Sequence, residues 1–356
     1  MKKGLQRIIT SLLILLFIGI DLFFPIYFLL LHHYKGKEII SEFHKDQPFV
    51  IDDIPCVEKK KDKDFVILNL ADVQMCDLED IFHRNIIHQE IDELIQQTKP
   101  DLITLTGDQT WSNENMISLT SLVAWMESYQ IPWAPVFGNH DFGNEGHTPV
   151  LDALKCCEYY ENAKYCLFQR GPSNLGCIGN YLINIKEEGK IVRTLYMLDH
   201  GILDDFTVEQ MEWLTWACKG MKENNGGISP SSMAFFHKPT TEFFTAWFYG
   251  EELSIPNNLK AKQRLKDTED ELYQIGKEYN IQNFVCGHNH WMHFVSKDEN
   301  NITFTMSLKT GELGGYAEDE DYYGNGATYF TISKEETLIQ DYFVSREKYH
   351  IGKEEE

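Results

Sequence analysis

Five short runs in this 356-residue chain end in side chains able to bind hard or borderline metal ions. They are Ala71-Asp72-Val73-Gln74, Gly107-Asp108-Gln109, Gly138-Asn139-His140-Asp141, His237-Lys238-Pro239 and Gly287-His288-Asn289-His290. Carboxylate, amide oxygen and imidazole together suit Mn, Fe or Zn, whereas a soft thiolate site needs cysteine. Two ions about 3.5–4 Å apart need a bridging carboxylate, because an anion between them screens their repulsion. Such a pair clamps a phosphoryl group and turns a bridging water into a metal-activated hydroxide. The residue types fit a pair better than a single ion. Each run alone says little: Gly-Asp after a strand is commonly a turn, and a lone His after Phe235-Phe236 commonly a capping or core histidine. The five in this order carry the signal.

Those runs must be held by the elements that precede them. Phe65–Leu70, Leu102–Thr106 and Trp133–Phe137 read as buried strands, and 78–97 and 116–129 carry apolar residues at helical spacing. Later strands are expected at 181–185, 194–198, 233–236 and 283–286, and helices at 207–221 and 259–279. The tail is strand-rich, at 291–295, 302–306, 328–332 and 337–344. Strands alternating with helices imply an α/β fold with a largely parallel sheet. In such sheets ligands gather outside the carboxyl ends of the strands, which is where the five runs fall. The glycines before Asp108, Asn139 and His288 let the backbone turn sharply and approach a bound group.

The order D-x-Q, G-D-Q, G-N-H-D, F-F-H-K-P and C-G-H-N-H resembles the five blocks of the calcineurin-like metallophosphoesterases, nearest to their purple-acid-phosphatase-like branch. Gly171-Pro172…Gly179-Asn180-Tyr181 and Leu198-Asp199-His200-Gly201 followed by Gln210-x-x-Trp213 add to the resemblance, which runs from about Phe65 to Val344. It implies a two-sheet α/β/β/α sandwich flanked by helices. It further implies that Asp72, Gln74, Asp108 and His290 hold one metal, with Asp108 bridging to a second held by Asn139, His237 and His288. His140 would be the catalytic residue that steadies the transition state or protonates the leaving oxygen. Two positions depart from the pattern. Gln74 stands where the family usually has His, a weaker ligand that shifts preference towards harder ions such as Mn²⁺ or Mg²⁺. Trp111 stands where the purple enzymes have Tyr, so no tyrosinate–iron colour is expected.

Other residues divide between roles. Asp141 is open between orienting His140 and capping the following helix. His293 reads as structural and His200 as a surface-loop residue, with lining the cleft as its alternative. Tyr316 lies in a Gly-rich loop that reads as a plain connection, with a leaving-group contact as the alternative. Of the eight cysteines, Cys156, Cys157, Cys166 and Cys177 cluster in one segment, where one or two disulfides are expected if the domain lies outside the membrane. No Cys-x-x-Cys pair invites a zinc site, and Cys286 reads as inert core.

The chain carries 32 Lys+Arg against 55 Asp+Glu, a net charge of −23, which argues against a surface that grips nucleic-acid phosphates. Ile8 to Leu31 is an almost unbroken apolar run, reaching ~36 Å as a helix and long enough to span a bilayer core of ~30 Å. Asp21 and Pro25 are tolerable within it, and it lacks the short apolar region and small-residue site of a cleaved signal peptide. Lys2, Lys3 and Arg7 favour a cytoplasmic N-terminus with the remainder extracytoplasmic, although Lys35 and Lys37 on the far flank oppose this. The organisation read from the sequence is therefore a flank and anchor at 1–31, a polar linker at 32–63, a metallophosphoesterase-like domain at 64–346 and an acidic tail at 347–356. The expected function is hydrolysis of a phosphomonoester at a centre of two metal ions (Mn, Fe or Zn), in a single-pass membrane protein. The alternatives are a phosphodiesterase acting on a nucleotide or lipid head group, and a non-catalytic, metal-containing module that recognises a phosphorylated partner.

Overall fold

The computed structural model describes residues 41–76, 81–111, 115–142, 153–199, 205–249, 251–252, 271–290, 292–311, 325–333 and 337–344. The expected anchor at 8–31, the acidic tail, His200 and Tyr316 lie outside these residues. Among the described residues no helix is long and apolar enough to cross a membrane.

Two mixed sheets make the architecture. In the first, β2 (Phe65–Leu70), β3 (Leu102–Thr106) and β4 (Trp133–Val136) run parallel, and the antiparallel pair β12 (Asn325–Ile332) and β13 (Thr337–Val344) extends it in the order β13-β12-β2-β3-β4. The second contains β1 (Cys56–Glu58), β5 (Tyr181–Glu187), β6 (Lys190–Met197), β7 (Ser232–Phe235), β8 (Glu251–Glu252), β9 (Ile281–Cys286), β10 (Phe294–Lys297) and β11 (Thr303–Met306). Its order is β1-β5-β6-β7-β9-β11-β10-β8. The described α-helices are α1 (Ile81–Thr98), α2 (Asn115–Ser128), α3 (Ala153–Asn162), α4 (Val208–Asn224), α5 (Thr241–Tyr249) and α6 (Glu271–Tyr279).

Period-two alternation along the second sheet explains how both of its faces are covered. Tyr181, Ile183, Ile185, Leu195, Met197, Met233 and Phe235 join a core shared with β2, β3, β4, α1, α2 and α3. Leu182, Tyr196, Ala234 and Phe284, one position out of step, join a second core under α4, α5 and α6. Strands β3, β4 and β7 are buried at every position, as expected for strands covered on both faces.

Three expectations are corrected. First, the sheets are mixed and not largely parallel: β5–β6, β8–β10, β10–β11, β2–β12 and β12–β13 are antiparallel. The β5–β6 connection is a two-residue hairpin at Glu188 (φ 50) and Gly189 (φ 77), whose paired left-handed residues suit the strand twist. Second, residues 41–63 do not all form a free tether. Strand β1 joins the edge of the second sheet, Phe43 is buried against the α4 core, and Lys59 is buried with Nζ 2.8 Å from Glu187 Oε2. A charged run looks solvated in sequence, yet a neighbouring strand can pair with it and bury one of its members.

Third, all eight cysteines are free thiols. Cys156 and Cys157 sit on α3 facing the core, and the Cys177 thiol donates to the Asp199 carbonyl at 2.7 Å. Burial pushes the Cys157, Cys166 and Cys177 thiols up, so reactive thiolate is disfavoured there. Proximity in sequence was the only reason to pair them. Helices α3 and α5 are absent from the elements expected from the sequence, the latter an aromatic run lacking clear helical spacing.

Candidate metal centre

The carboxyl ends of β2, β3, β4, β7 and β9 meet at one edge of the two facing sheets. The backbone there adopts conformations that side chains ordinarily avoid. Asp72, Gln74, Asp108 and His288 have φ of 53, 51, 50 and 73, and the side chains of Asp72, Asp108 and His288 reach a common space. Glycine enables two of the approaches. A Cβ on Gly107 would lie 2.3 Å from the His237 ring, and one on Gly138 would lie 2.2 Å from the Asp108 nitrogen.

Two clusters result, and they share one residue. Ligand atoms of Asp108, His237 and His288 lie within 4.8 Å of one another, and so do those of Asp72, Asp108 and His290. His237 Nε2 is 3.3 Å from Asp108 Oδ2, 3.0 Å from Asn139 Oδ1 and 3.2 Å from His288 Nδ1. His290 Nε2 is 3.4 Å from Asp72 Oδ1. The Gln74 side chain is buried, its Oε1 has no hydrogen-bond partner, and its backbone amide donates to the Asp108 carbonyl at 2.9 Å. A buried, unsatisfied carbonyl oxygen is costly unless something accepts its lone pairs. Of the residues expected to coordinate, the structure therefore brings Asp72, Asp108, Asn139, His237, His288 and His290 together, with Gln74 on the same turn as Asp72.

The surroundings orient these groups for coordination. The His237 Nδ1–H donates to the Thr106 carbonyl at 2.9 Å, which leaves Nε2 facing the centre. The His288 amide donates to both oxygens of Asp72, at 3.0 and 2.9 Å, and the His140 amide to Asp108 Oδ1 at 2.8 Å. His140 itself stands at the open side, its ring nitrogen 3.9 Å from Asp108 Oδ2 and its ring edge against Trp111. Asp141 is buried and accepts from the Gly138 amide at 2.7 Å and the Thr110 amide at 3.0 Å. Its oxygens thus brace the β3 and β4 loops against each other, a role outside the two expected for it. His293, 3.6 Å from Asp341, ties β10 to β13 as a structural residue.

Charges in the cluster perturb one another. Burial opposes the ionisation of Asp72 and Asp108, but the neighbouring histidines overcome it and hold both carboxyls below the usual range. His237 is likewise disfavoured as a cation by burial, yet Asp108 and Asp72 raise it to about 9. His288 falls to about 4 through burial and the charge of His237. Asp141 rises to about 8 through burial and the charge of Asp108. The Asp72 carboxylate, the imidazoles of His237, His288 and His290 and the Asn139 carboxamide around the shared Asp108 carboxylate are the donor set of a dinuclear site for borderline metals.

Sequence reasoning missed two supports. Asn69 donates to Thr106 Oγ1 (3.0 Å) and to Ser307 Oγ (2.8 Å), and accepts from Thr104 Oγ1 (2.8 Å), joining the sheets beneath the centre. Lys309, 4% exposed, donates to the Asp72 carbonyl at 2.6 Å. Its signal was a charge in the run Met306-Ser307-Leu308-Lys309-Thr310, where a strand end should be buried.

Residues 65–292 match the Calcineurin-like phosphoesterase family. The chain belongs to that family. Among curated proteins it is 26% identical over 232 residues to the phosphatase DCR2 of Saccharomyces cerevisiae, covering 59% of this chain and 39% of that one. It is 23% identical over 184 residues to the probable inactive purple acid phosphatase 28 of Arabidopsis thaliana, covering 44% of this chain and 45% of the other. The chain thus spans less than half the length of these two relatives. Among solved structures it is similar to a dimetal phosphatase from Danio rerio, with a TM-score of 0.49 and 12% identity over 79% of this chain and 96% of that one.

Proposed function

We propose that this chain is a metal-dependent hydrolase that cleaves a phosphomonoester at the shared-carboxylate centre. The observation that carries the reading is the pair of donor clusters joined at Asp108. Asp72, Gln74, Asp108 and His290 would hold one cation and Asp108, Asn139, His237 and His288 the other. When bound, such a pair supplies Lewis acidity to the phosphoryl oxygens and lowers the pKa of water. The protein's own part is orientation and proton handling. Thr106 fixes the His237 tautomer, Asp141 locks the two loops, and His140 faces the open side beside Trp111, where it donates a proton to the departing oxygen. A non-catalytic recognition module remains the second reading, favoured by Gln74 and by the name of the plant relative, a probable inactive phosphatase.

The test compares an aryl phosphate with its bis-aryl diester in Mn²⁺, using the wild type and His140→Ala. Loss of a general acid costs about 10²–10⁴-fold in rate, so His140→Ala is expected to lower monoester turnover by about that much while retaining both metals. Preferential diester cleavage would favour the phosphodiesterase alternative, and no turnover with metals present would favour the module.

We further propose that 8–31 anchors the chain in a membrane with the catalytic domain extracytoplasmic. The apolar run from Ile8 to Leu31 supports the anchor, and beyond it residues 41–54 are strapped to the domain: the Ser173 amide donates to the Ser41 carbonyl at 2.8 Å, and the Trp216 indole to the Gln47 carbonyl at 3.0 Å. Only residues 32–40 would separate bilayer from strap, a reach of about 30 Å at most. Ser173 precedes β5, whose first residue Tyr181 pairs with Met197 at the carboxyl end of β6, the end of the sheet that faces the centre.

A further inference from the structure

Lys309 is a fully buried ammonium pressed against a ligand loop, and the hydrolytic reading gives it no task. Beyond its bond to the Asp72 carbonyl, Nζ donates to the Thr310 carbonyl at 3.3 Å. Backbone contacts reinforce the position. Ala71 and Lys309 form an isolated β-bridge, and the Thr310 amide donates to the Ala71 carbonyl at 2.7 Å. Gly311 (φ 86) lies so close that a Cβ would meet the Val73 carbonyl at 2.8 Å, while its amide donates to Glu90 Oε1 at 3.1 Å. Lys309-Thr310-Gly311 therefore runs along Ala71-Asp72-Val73 as a strap.

Stability alone does not account for a lysine here. Burying an ammonium is costly, and Nζ meets the backbone carbonyls of Asp72 and Thr310. An apolar side chain of similar length would fill the space without that penalty. What the ammonium supplies is a donor to a carbonyl within a turn whose Asp72 and Gln74 both adopt left-handed backbone, a conformation needing outside restraint.

We propose that Lys309 is a positioning residue: it clasps the Asp72–Gln74 turn and so sets the affinity of the centre for the cation held by Asp72, Gln74 and His290, without touching substrate. The proposal rests on the dinuclear reading above. Its test is a Mn²⁺ binding isotherm, by chelator competition, on the full-length wild type, Lys309→Met and Lys309→Gln, with the melting temperature of each protein stripped of metal. The wild type is expected to bind two equivalents. In Lys309→Met one equivalent keeps its affinity and the other weakens by about 10–100-fold, the range seen when an outer partner of a ligand is lost, with the metal-free melting temperature unchanged or higher. Lys309→Gln, which keeps a neutral donor, falls between, and it carries the test if Lys309→Met does not fold. Turnover is expected to recover at saturating Mn²⁺, with only the metal activation constant raised.

A wild type that binds no Mn²⁺ overturns the dinuclear reading, and this inference with it. Two equivalents at wild-type affinity in both variants overturn the clasp and leave that reading standing. Equal weakening of both equivalents together with a lowered metal-free melting temperature assigns Lys309 a general structural role and also overturns the clasp.

Discussion

At the scale of single residues, the centre is a set of side chains whose ionisation depends on one another, and this has a measurable consequence. Without metal, His237 titrates at about 9 and Asp141 at about 8. Near pH 7 both therefore hold a proton. A cation at His237 Nε2 requires neutral imidazole, and its positive charge beside Asp108 offsets the lesser of the two causes that keep Asp141 protonated, burial being the larger. His288, at about 4, is already neutral and contributes nothing. The sign follows: metal uptake at pH 7 releases protons, and affinity rises with pH until about 9 and then levels. Calorimetric titration with Mn²⁺ at pH 7 in two buffers of different ionisation enthalpy is expected to show one to two protons released, falling towards none at pH 10. Heats independent of the buffer at pH 7 would contradict the protonation states assigned to His237 and Asp141.

At the scale of elements, close approach between loops makes the geometry. Gly138 is the tightest point: an added Cβ would lie 2.2 Å from the Asp108 nitrogen and 2.3 Å from its Oδ1. Gly138→Ala must push the β3 and β4 loops apart, at a cost of about 1–3 kcal/mol by analogy with overpacked cores. Metal content is expected to fall below one equivalent and activity by at least about 10²-fold, while far-UV circular dichroism stays that of the wild type. Retention of two metals would show that the loops yield without disturbing Asp108. The same elements show what could be read in the letters alone. Strands β2, β3, β4, β7 and β9 were visible as apolar runs, and the residues after them as ligands, because burial and coordination both restrict residue type locally. The pairing direction of β5, β10 and β12, the brace made by Asp141, and the contacts of Asn69 and Lys309 were not visible. The brace and these side-chain contacts each depend on a partner 30 or more residues away, such as the 237 residues between Asp72 and Lys309. The cysteines show the opposite failure, in which nearness along the chain suggested bonds that α3 makes unnecessary.

At the scale of the whole molecule, residues 41–63 pack on the folded domain, and this decides where the chain can be cut. Phe43 and Phe49 pack edge-on against Trp216, and a Cβ on Gly220 would lie 2.1 Å from the Phe49 ring. Strand β1 supplies the edge of the second sheet, and the Asn184 amide donates to the Pro55 carbonyl at 2.9 Å. A fragment of residues 41–356 keeps all of these contacts. One of residues 64–356 loses them and bares the face of α4 that carries Trp216. Removing the burial of Phe43 alone is worth about 1.5–3 kcal/mol. With β1 and the Lys59–Glu187 pair also gone, the total is about 4 kcal/mol, or roughly 8–16 °C at 2–4 °C per kcal/mol for a domain of this size. Thermal unfolding of the two fragments under identical metal loading checks this, and equal melting temperatures would mean that the strap is only passively laid on the domain. The same pair tests the anchor: full-length protein is expected in the membrane fraction and residues 41–356 in the soluble fraction, whereas recovery of both in the soluble fraction would remove the membrane from the proposal and leave the metal centre untouched.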